Sequence, residues 1–296
     1  MITTRTLGDR EVSALGLGGM PLSRPGRDGR LPDPDRAVAT VHAALDLGVT
    51  LIDTADCYGP DGHPRDGGLG HNEEIVARAL RGRDEEVLVA TKGGIRRDGA
   101  DWPLDGRPAW IHEAVRGSLR RLGGDTIDLY QHHRPDPDVP YAETMGAFKE
   151  LHDAGLVRRV GLSNADVAQI AEARDVLGEA LVSVQNQYSP AFRSSEDELE
   201  LCRRLGLAFL PWSPLGGMSA AAGLGDEHAA FRDVADAHGV SPQQVCLAWL
   251  LARGEHVIPI PGASRPASVA DSFAATELVL TADELARLDD PGRGDR

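Results

Sequence analysis

The chain has 296 residues, 41% of them hydrophobic, and a formal net charge of −15 with a pI of about 5.1. That is ample apolar material for a large core, while the acidity excludes the basic footprint that a nucleic-acid backbone or an anionic membrane surface requires. Cys57, Cys202 and Cys246 form neither a disulfide framework nor a zinc pattern. The opening Met1-Ile2-Thr3-Thr4-Arg5 does not read as a signal peptide, and no apolar run approaches the roughly 18 residues that span a bilayer, so a reducing cytoplasm is expected.

In chain order, residues 3–6 and 11–12, joined through Leu7-Gly8-Asp9-Arg10, predict a small hairpin. Short strand-like runs follow at 14–18, 49–53, 87–91, 126–130, 157–162, 181–185, 207–210 and 257–259. Amphipathic helices are expected between them. Ala37, Val38, Val41, Ala44 and Leu45 share one stripe, closed by Gly48. Asn72 is placed as the N-cap of a second helix carrying Ile75, Val76, Ala79 and Leu80, with Gly82 ending it. Further helices are expected over 108–122, 141–154, 166–177 and 196–205. Ser241-Pro242 opens another, and Thr281 with Glu284 reads as a capping box. The Gly/Pro/Asp/Arg-rich segments 23–35 and 59–70 are predicted loops, and 291–296 a frayed tail. Strands alternating with helices imply a parallel sheet. About eight units suggest closure into a single (β/α)8 barrel domain over residues 1–296, with a doubly wound sheet as the competitor.

In a barrel enzyme the chemistry gathers at the carboxyl ends of the strands. Asp53 ends the second strand here, Lys92 the third and His132-His133 the fourth, with Tyr58 in the loop just beyond Asp53. Such a group has a chemical logic. A tyrosine of pKa near 10 donates poorly at neutral pH, a neighbouring ammonium lowers that pKa, and a carboxylate holds the ammonium in place. A neutral imidazole orients a carbonyl oxygen beside the phenol. Together these groups would protonate an oxyanion as hydride arrives at carbon.

The motifs resemble those of the aldo-keto reductase family. Asp53-Thr54-Ala55-Asp56-Cys57-Tyr58-Gly59 with Asn72-Glu73, Thr91-Lys92, and Asp128-Leu129-Tyr130-Gln131-His132-His133-Arg134 are each similar to a family signature. The resemblance implies that Tyr58 is the general acid, that Lys92 and Asp53 tune it, and that His133 orients the substrate. Gly161-Leu162-Ser163-Asn164 resembles the segment whose Ser163 and Asn164 hold a nicotinamide carboxamide. Val184-Gln185-Asn186-Gln187-Tyr188-Ser189 implies that Gln185 completes that site and that Tyr188 stacks on the nicotinamide ring. Trp212-Ser213-Pro214-Leu215-Gly216-Gly217 is similar to the pyrophosphate loop, placing Trp212, Ser213, Leu215 and Gly217 at the cofactor. The stretch 258–265, with Gly262, Ser264 and Arg265, resembles the loop that receives an adenosine 2′-phosphate. The likeness runs from Leu15 to about Ser272.

Two departures bear on the cofactor. Family members often have Arg where this chain has Ser268 and Asn where it has Ser272, and Ser264 and Arg265 are placed to compensate. NADP(H) is therefore expected, with NAD(H) possible. The resemblance implies reduction of a small-molecule aldehyde or ketone without a metal, no nucleic-acid or membrane partner, and binding outside a GxGxxG fold, whose fingerprint is absent. Two other classes stay open at this stage: a nicotinamide-binding regulatory or scaffold subunit, and a metal-dependent barrel hydrolase, for which His132-His133 alone supply too few ligands. Loops 21–34, 59–70, 93–108 and 218–227 are mostly polar, which favours a polar substrate such as a sugar, pyridoxal or a small aldehyde.

Overall fold

The computed structural model describes residues 3–25, 30–63, 66–217 and 220–290. Strands β1 (Thr4–Leu7) and β2 (Arg10–Ser13) form the antiparallel hairpin, turning at Gly8-Asp9 and pairing Thr4 with Ser13 and Leu7 with Arg10. Seven parallel strands then lie in sequence order: β3 (Leu17–Gly18), β4 (Leu51–Asp53), β5 (Leu88–Gly93), β6 (Leu129–His132), β7 (Val160–Ser163), β8 (Leu181–Gln185) and β9 (Ala208–Phe209). The helices between them are α1 (Pro34–Asp46), α2 (His71–Leu80), α3 (Pro108–Leu122), α4 (Tyr141–Asp153), α5 (Val167–Leu177) and α6 (Glu196–Leu205).

The eighth staves the sheet without forming a regular strand. The predicted run at 257–259 bridges β9 through Phe209 and Val257, and the same segment reaches β3 through Gly18 and Gly262. Its amides at Ile258 and Ile260 donate to Phe209 and Pro211, while its carbonyls at Pro259 and Pro261 accept from Gly16 and Gly18. Pro259 and Pro261 have no N–H to complete a ladder. Both sheet edges are nevertheless covered, so the sheet closes into a (β/α)8 barrel and the doubly wound alternative is excluded.

Helix ends follow local chemistry. The Asp33 side chain accepts from the amides of Asp35 and Arg36 ahead of Pro34, Ser241 accepts from Gln244, and Thr281 with Glu284 makes both bonds of the expected capping box. Asn72 departs from its expected role. Helix α2 starts at His71 behind a left-handed Gly70, and the Asn72 side chain turns inward to the Gly19 carbonyl, Ser23 and Thr54. The pattern reading leaves out α7 (Leu224–Glu227), α8 (Ala229–His238) and α10 (Pro266–Ala274), although Phe231, Val234 and Ala235 with a left-handed Gly239 do carry a helix signal. Helices α9 (Pro242–Leu251) and α11 (Ala282–Asp289) sit where their caps place them. The predicted tail 291–296 and parts of the loops at 23–35, 59–70 and 218–227 lie outside the described residues.

Two apolar layers result. Alternate strand residues such as Ile52, Tyr130 and Val160 face the helices, while Leu51, Leu88, Ala90 and Leu129 fill the lumen. The hairpin plugs the lumen's amino-terminal end, where Leu7 and Val12 pack against those lumen residues. Arg5 fixes it there by donating to the carbonyls of Gly254, Leu251 and Val257. With that end sealed, polar groups can face solvent only at the opposite mouth. Leu7 is fully buried. Leu7→Ala is expected to lower unfolding stability by about 2–5 kcal/mol, read as a shifted urea midpoint; a wild-type midpoint would show that the plug is not part of the core.

Candidate active site

The lumen's upper layer is charged. Asp53, Lys92 and Gln131 end or nearly end successive strands, and period-two alternation turns each of them inward above Leu51, Ala90 and Leu129. Gln185 joins them from β8 because the β7–β8 pairing skips Val182. This bulge lets Val182 face the lower lumen while Ser183 and Gln185 occupy the layer above. Gly161 makes the room, since a Cβ there would lie 2.6 Å from the Ser183 hydroxyl and 2.9 Å from Gln131 Cγ.

Lys92 Nζ donates to Asp53 Oδ2 at 2.7 Å, to the Thr54 carbonyl at 2.9 Å and to the Tyr58 hydroxyl oxygen at 3.3 Å. An ammonium has three protons, so these bonds use all of them. The Tyr58 oxygen is thereby an acceptor from Lys92, and its own proton remains for the space on the other side. The second oxygen of Asp53 accepts from Gln185 Nε2 at 2.7 Å and Gln131 Nε2 at 3.2 Å. Gln131 was not singled out in the sequence; its place two residues before His133 on an alternating strand was the available signal.

Lys92 is fully buried and Asp53 nearly so. Burial works against the Lys92 ammonium, but Asp53 and then Tyr58 carry its pKa above the ordinary value. Tyr58 is pushed up to about 12, because burial and the Asp53 charge outweigh the pull of Lys92. The expected lowering by Lys92 is present but does not win. His133 is held well below the usual imidazole range by burial, then by Lys92, Arg134 and His132, so its ring is neutral.

Of the paired histidines, His133 lines the cleft, with its ring edge-on to Tyr58 at 5.5 Å and Nδ1 against Cys57 Sγ at 3.4 Å. His132 faces the helix layer between Tyr141 and Phe148, where burial brings it to about 4. The cleft has a volume of about 420 Å³ and begins at Tyr58, His133, Trp102 and Arg134. It continues past Ser163, Asn164 and Gln185 to Trp212, Ser213, Leu215, Gly217 and Gly262. Asn164 (φ 58°) and Ser213 (φ 49°) hold left-handed backbone there, a conformation that costs a non-glycine residue energy and concentrates at binding sites.

The remaining residues singled out for the cofactor lie elsewhere. Tyr188 requires correction as a stacking platform. It is fully buried, stacked on Trp249 at 5.9 Å and bonded through its hydroxyl to Glu196, so neither face is open to the cleft. The aromatic side chain at that end of the cleft is Trp212. Arg265 is exposed at the N-cap of α10 and bonds Ser268 at 2.9 Å, next to the half-buried Ser264. Ser272 is buried farther along α10 and does not line the cleft.

The sequence model described as the aldo/keto reductase family matches residues 14–291. Pyridoxine 4-dehydrogenase of Escherichia coli is 35% identical over 295 residues, covering 97% of each chain. Among solved structures, a glycerol dehydrogenase from Gluconobacter oxydans superposes with a TM-score of 0.83 at 30% identity, over 97% of this chain and 94% of that one. An aldo-keto reductase from Klebsiella pneumoniae in complex with NADPH gives 0.80 at 29%, over 98% and 94%.

Because the Asp53–Lys92 pair is buried, removing one partner leaves an uncompensated charge. Lys92→Met is expected to cost about 3–5 kcal/mol of stability, and adding Asp53→Leu should restore much of it. Unfolding measurements through the double-mutant cycle check this, and additive losses would refute the coupling.

Proposed function

The chain belongs to the aldo/keto reductase family, and from that membership and the geometry of the cleft we propose that it reduces an aldehyde or ketone with NADPH, Tyr58 donating the proton. The observation that carries the reading is the complete use of the Lys92 protons, which leaves the Tyr58 proton for the cleft. An alkoxide forming beside Tyr58 is a stronger base than a phenolate, so a phenol that keeps its proton through neutral pH still transfers it. His133, neutral and with Nδ1 turned to Cys57, offers its other ring nitrogen to the same carbonyl oxygen. The buried ammonium of Lys92 then stabilises the phenolate left behind.

The donor set fits a nicotinamide. Gln185 commits its NH2 to Asp53, and Asn164 commits its NH2 to Ser163 and the His133 carbonyl. Two amide oxygens remain as acceptors and the Ser163 hydroxyl as a donor, which is the complement of a carboxamide. Trp212 offers a ring face nearby, and the loop at 213–217 supplies backbone amides for phosphate. Arg265, Ser264 and Ser268 at the start of α10 are suited to a 2′-phosphate, which supports NADP(H) over NAD(H). When bound, the reduced nicotinamide supplies the hydride.

The relation to pyridoxine 4-dehydrogenase, with Arg134 exposed at the cleft, supports a small polar carbonyl compound such as pyridoxal as substrate. With NADPH and a panel of aldehydes including pyridoxal, we expect oxidation of NADPH in the wild type and a loss of about 10²–10⁴-fold in kcat for Tyr58→Phe. Equal rates in the two proteins would refute Tyr58 as the acid. NADPH binding without turnover of any aldehyde would favour a binding subunit.

A further inference from the structure

Behind the cleft, Asp56, Cys57 and His133 form a cluster that the reduction does not use as a unit. One ligand-type atom from each, a carboxylate oxygen, Sγ and an imidazole nitrogen, lies within 4.8 Å of the others. All three residues are buried. Both Asp56 carboxylate oxygens lie inside the protein without a hydrogen-bond partner, in a residue 1% exposed. A buried carboxyl group without a well-formed hydrogen bond calls for an explanation.

We propose that Asp56, Cys57 and His133 Nδ1 form a binding site for a zinc-like divalent cation, whose occupancy inhibits the enzyme. Thiolate, imidazole and carboxylate are the donor types that zinc selects. Zn–S near 2.3 Å and Zn–N near 2.0–2.1 Å at a tetrahedral angle put sulfur and nitrogen about 3.6 Å apart. The Cys57 Sγ to His133 Nδ1 distance is 3.4 Å. Binding releases one proton each from Cys57 and Asp56, whose two negative charges then offset the ion's two positive ones. His133 borders the cleft, which gives the ion its route in. An ion on Nδ1 withdraws electron density from the ring and fixes its position, which disturbs the site that holds the carbonyl oxygen.

The inhibition rests on the reductase reading, whereas the binding does not. Metal-free full-length protein titrated with Co²⁺ is expected to take one ion per chain with a sulfur-to-cobalt charge-transfer band, which Zn²⁺ then displaces. Cys57→Ala should abolish the band and Asp56→Asn should weaken binding at least tenfold, both variants keeping the wild-type circular dichroism. Zn²⁺ should inhibit aldehyde reduction by the wild type reversibly to a chelator, and leave the rate of Cys57→Ala unaltered. Absence of the sulfur band at saturating cobalt, or its persistence in Cys57→Ala, would overturn the site and leave a plain thiol–imidazole contact. If no aldehyde is turned over, the cobalt spectrum alone decides for or against the site.

Discussion

A lysine ammonium held in the mouth of a barrel with almost no access to water sets the terms for everything around it. Desolvating such a pair costs several kcal/mol per ion, which is recovered only when every proton and lone pair finds a partner. Lys92 meets that demand with Asp53, the Thr54 carbonyl and Tyr58, and Asp53 meets it in turn with Gln131 and Gln185. The amide layer requires Gly161 below it and the bulge at Val182 beside it. A chemical requirement at Lys92 thus reaches into strands two and three places away.

The same constraint explains why the site is rigid on one side and open on the other. Glu73 is buried beneath the loop that carries Tyr58, where it accepts from Thr91 and Arg121, both at 2.6 Å, and the inward-turned Asn72 beside it ties α2 to Gly19, Ser23 and Thr54. That loop is therefore fastened to the barrel at its base. The opposite wall is made of the Trp102 face, gripped by Arg24 and Arg97 at 5.3 and 4.7 Å from its ring centre, and these arginines share Asp61. The Arg24–Asp61 pair is partly exposed and weak, whereas the Arg97 side chain is buried under the ring.

Much of this was legible in the sequence because the signals were local. Short apolar runs placed Asp53 and Lys92 at strand ends, and capping chemistry fixed the starts of α9 and α11. Non-local facts were hidden. Nothing near Tyr188 reveals that Trp249, 61 positions on by its number, covers its ring, and the motif alone favoured an exposed platform. Asn72 is a good helix cap by residue type, yet the three partners that draw it inward come from other parts of the chain. The balance of burial and charge at Tyr58 likewise depends on how much protein encloses it, a quantity that spacing along the chain does not encode.

A further tension lies between the protein's charge and its ligand. A chain with a net charge of −15 repels a polyanion such as NADPH at long range. At physiological ionic strength that repulsion is screened beyond about 8 Å, so it acts on the encounter more than on the bound state. Attraction must then be short-ranged and directional. The amides of the 213–217 loop, the amino-terminal end of α10 and the Arg265 guanidinium all fit that need, and Arg265 bonds Ser268 without a carboxylate partner among the described residues. Most other arginines of the described surface are paired with Asp or Glu. Arg134 on the cleft and Arg265 at the amino-terminal end of α10 both stand outside those pairs, which leaves each free to meet an anionic group of a ligand.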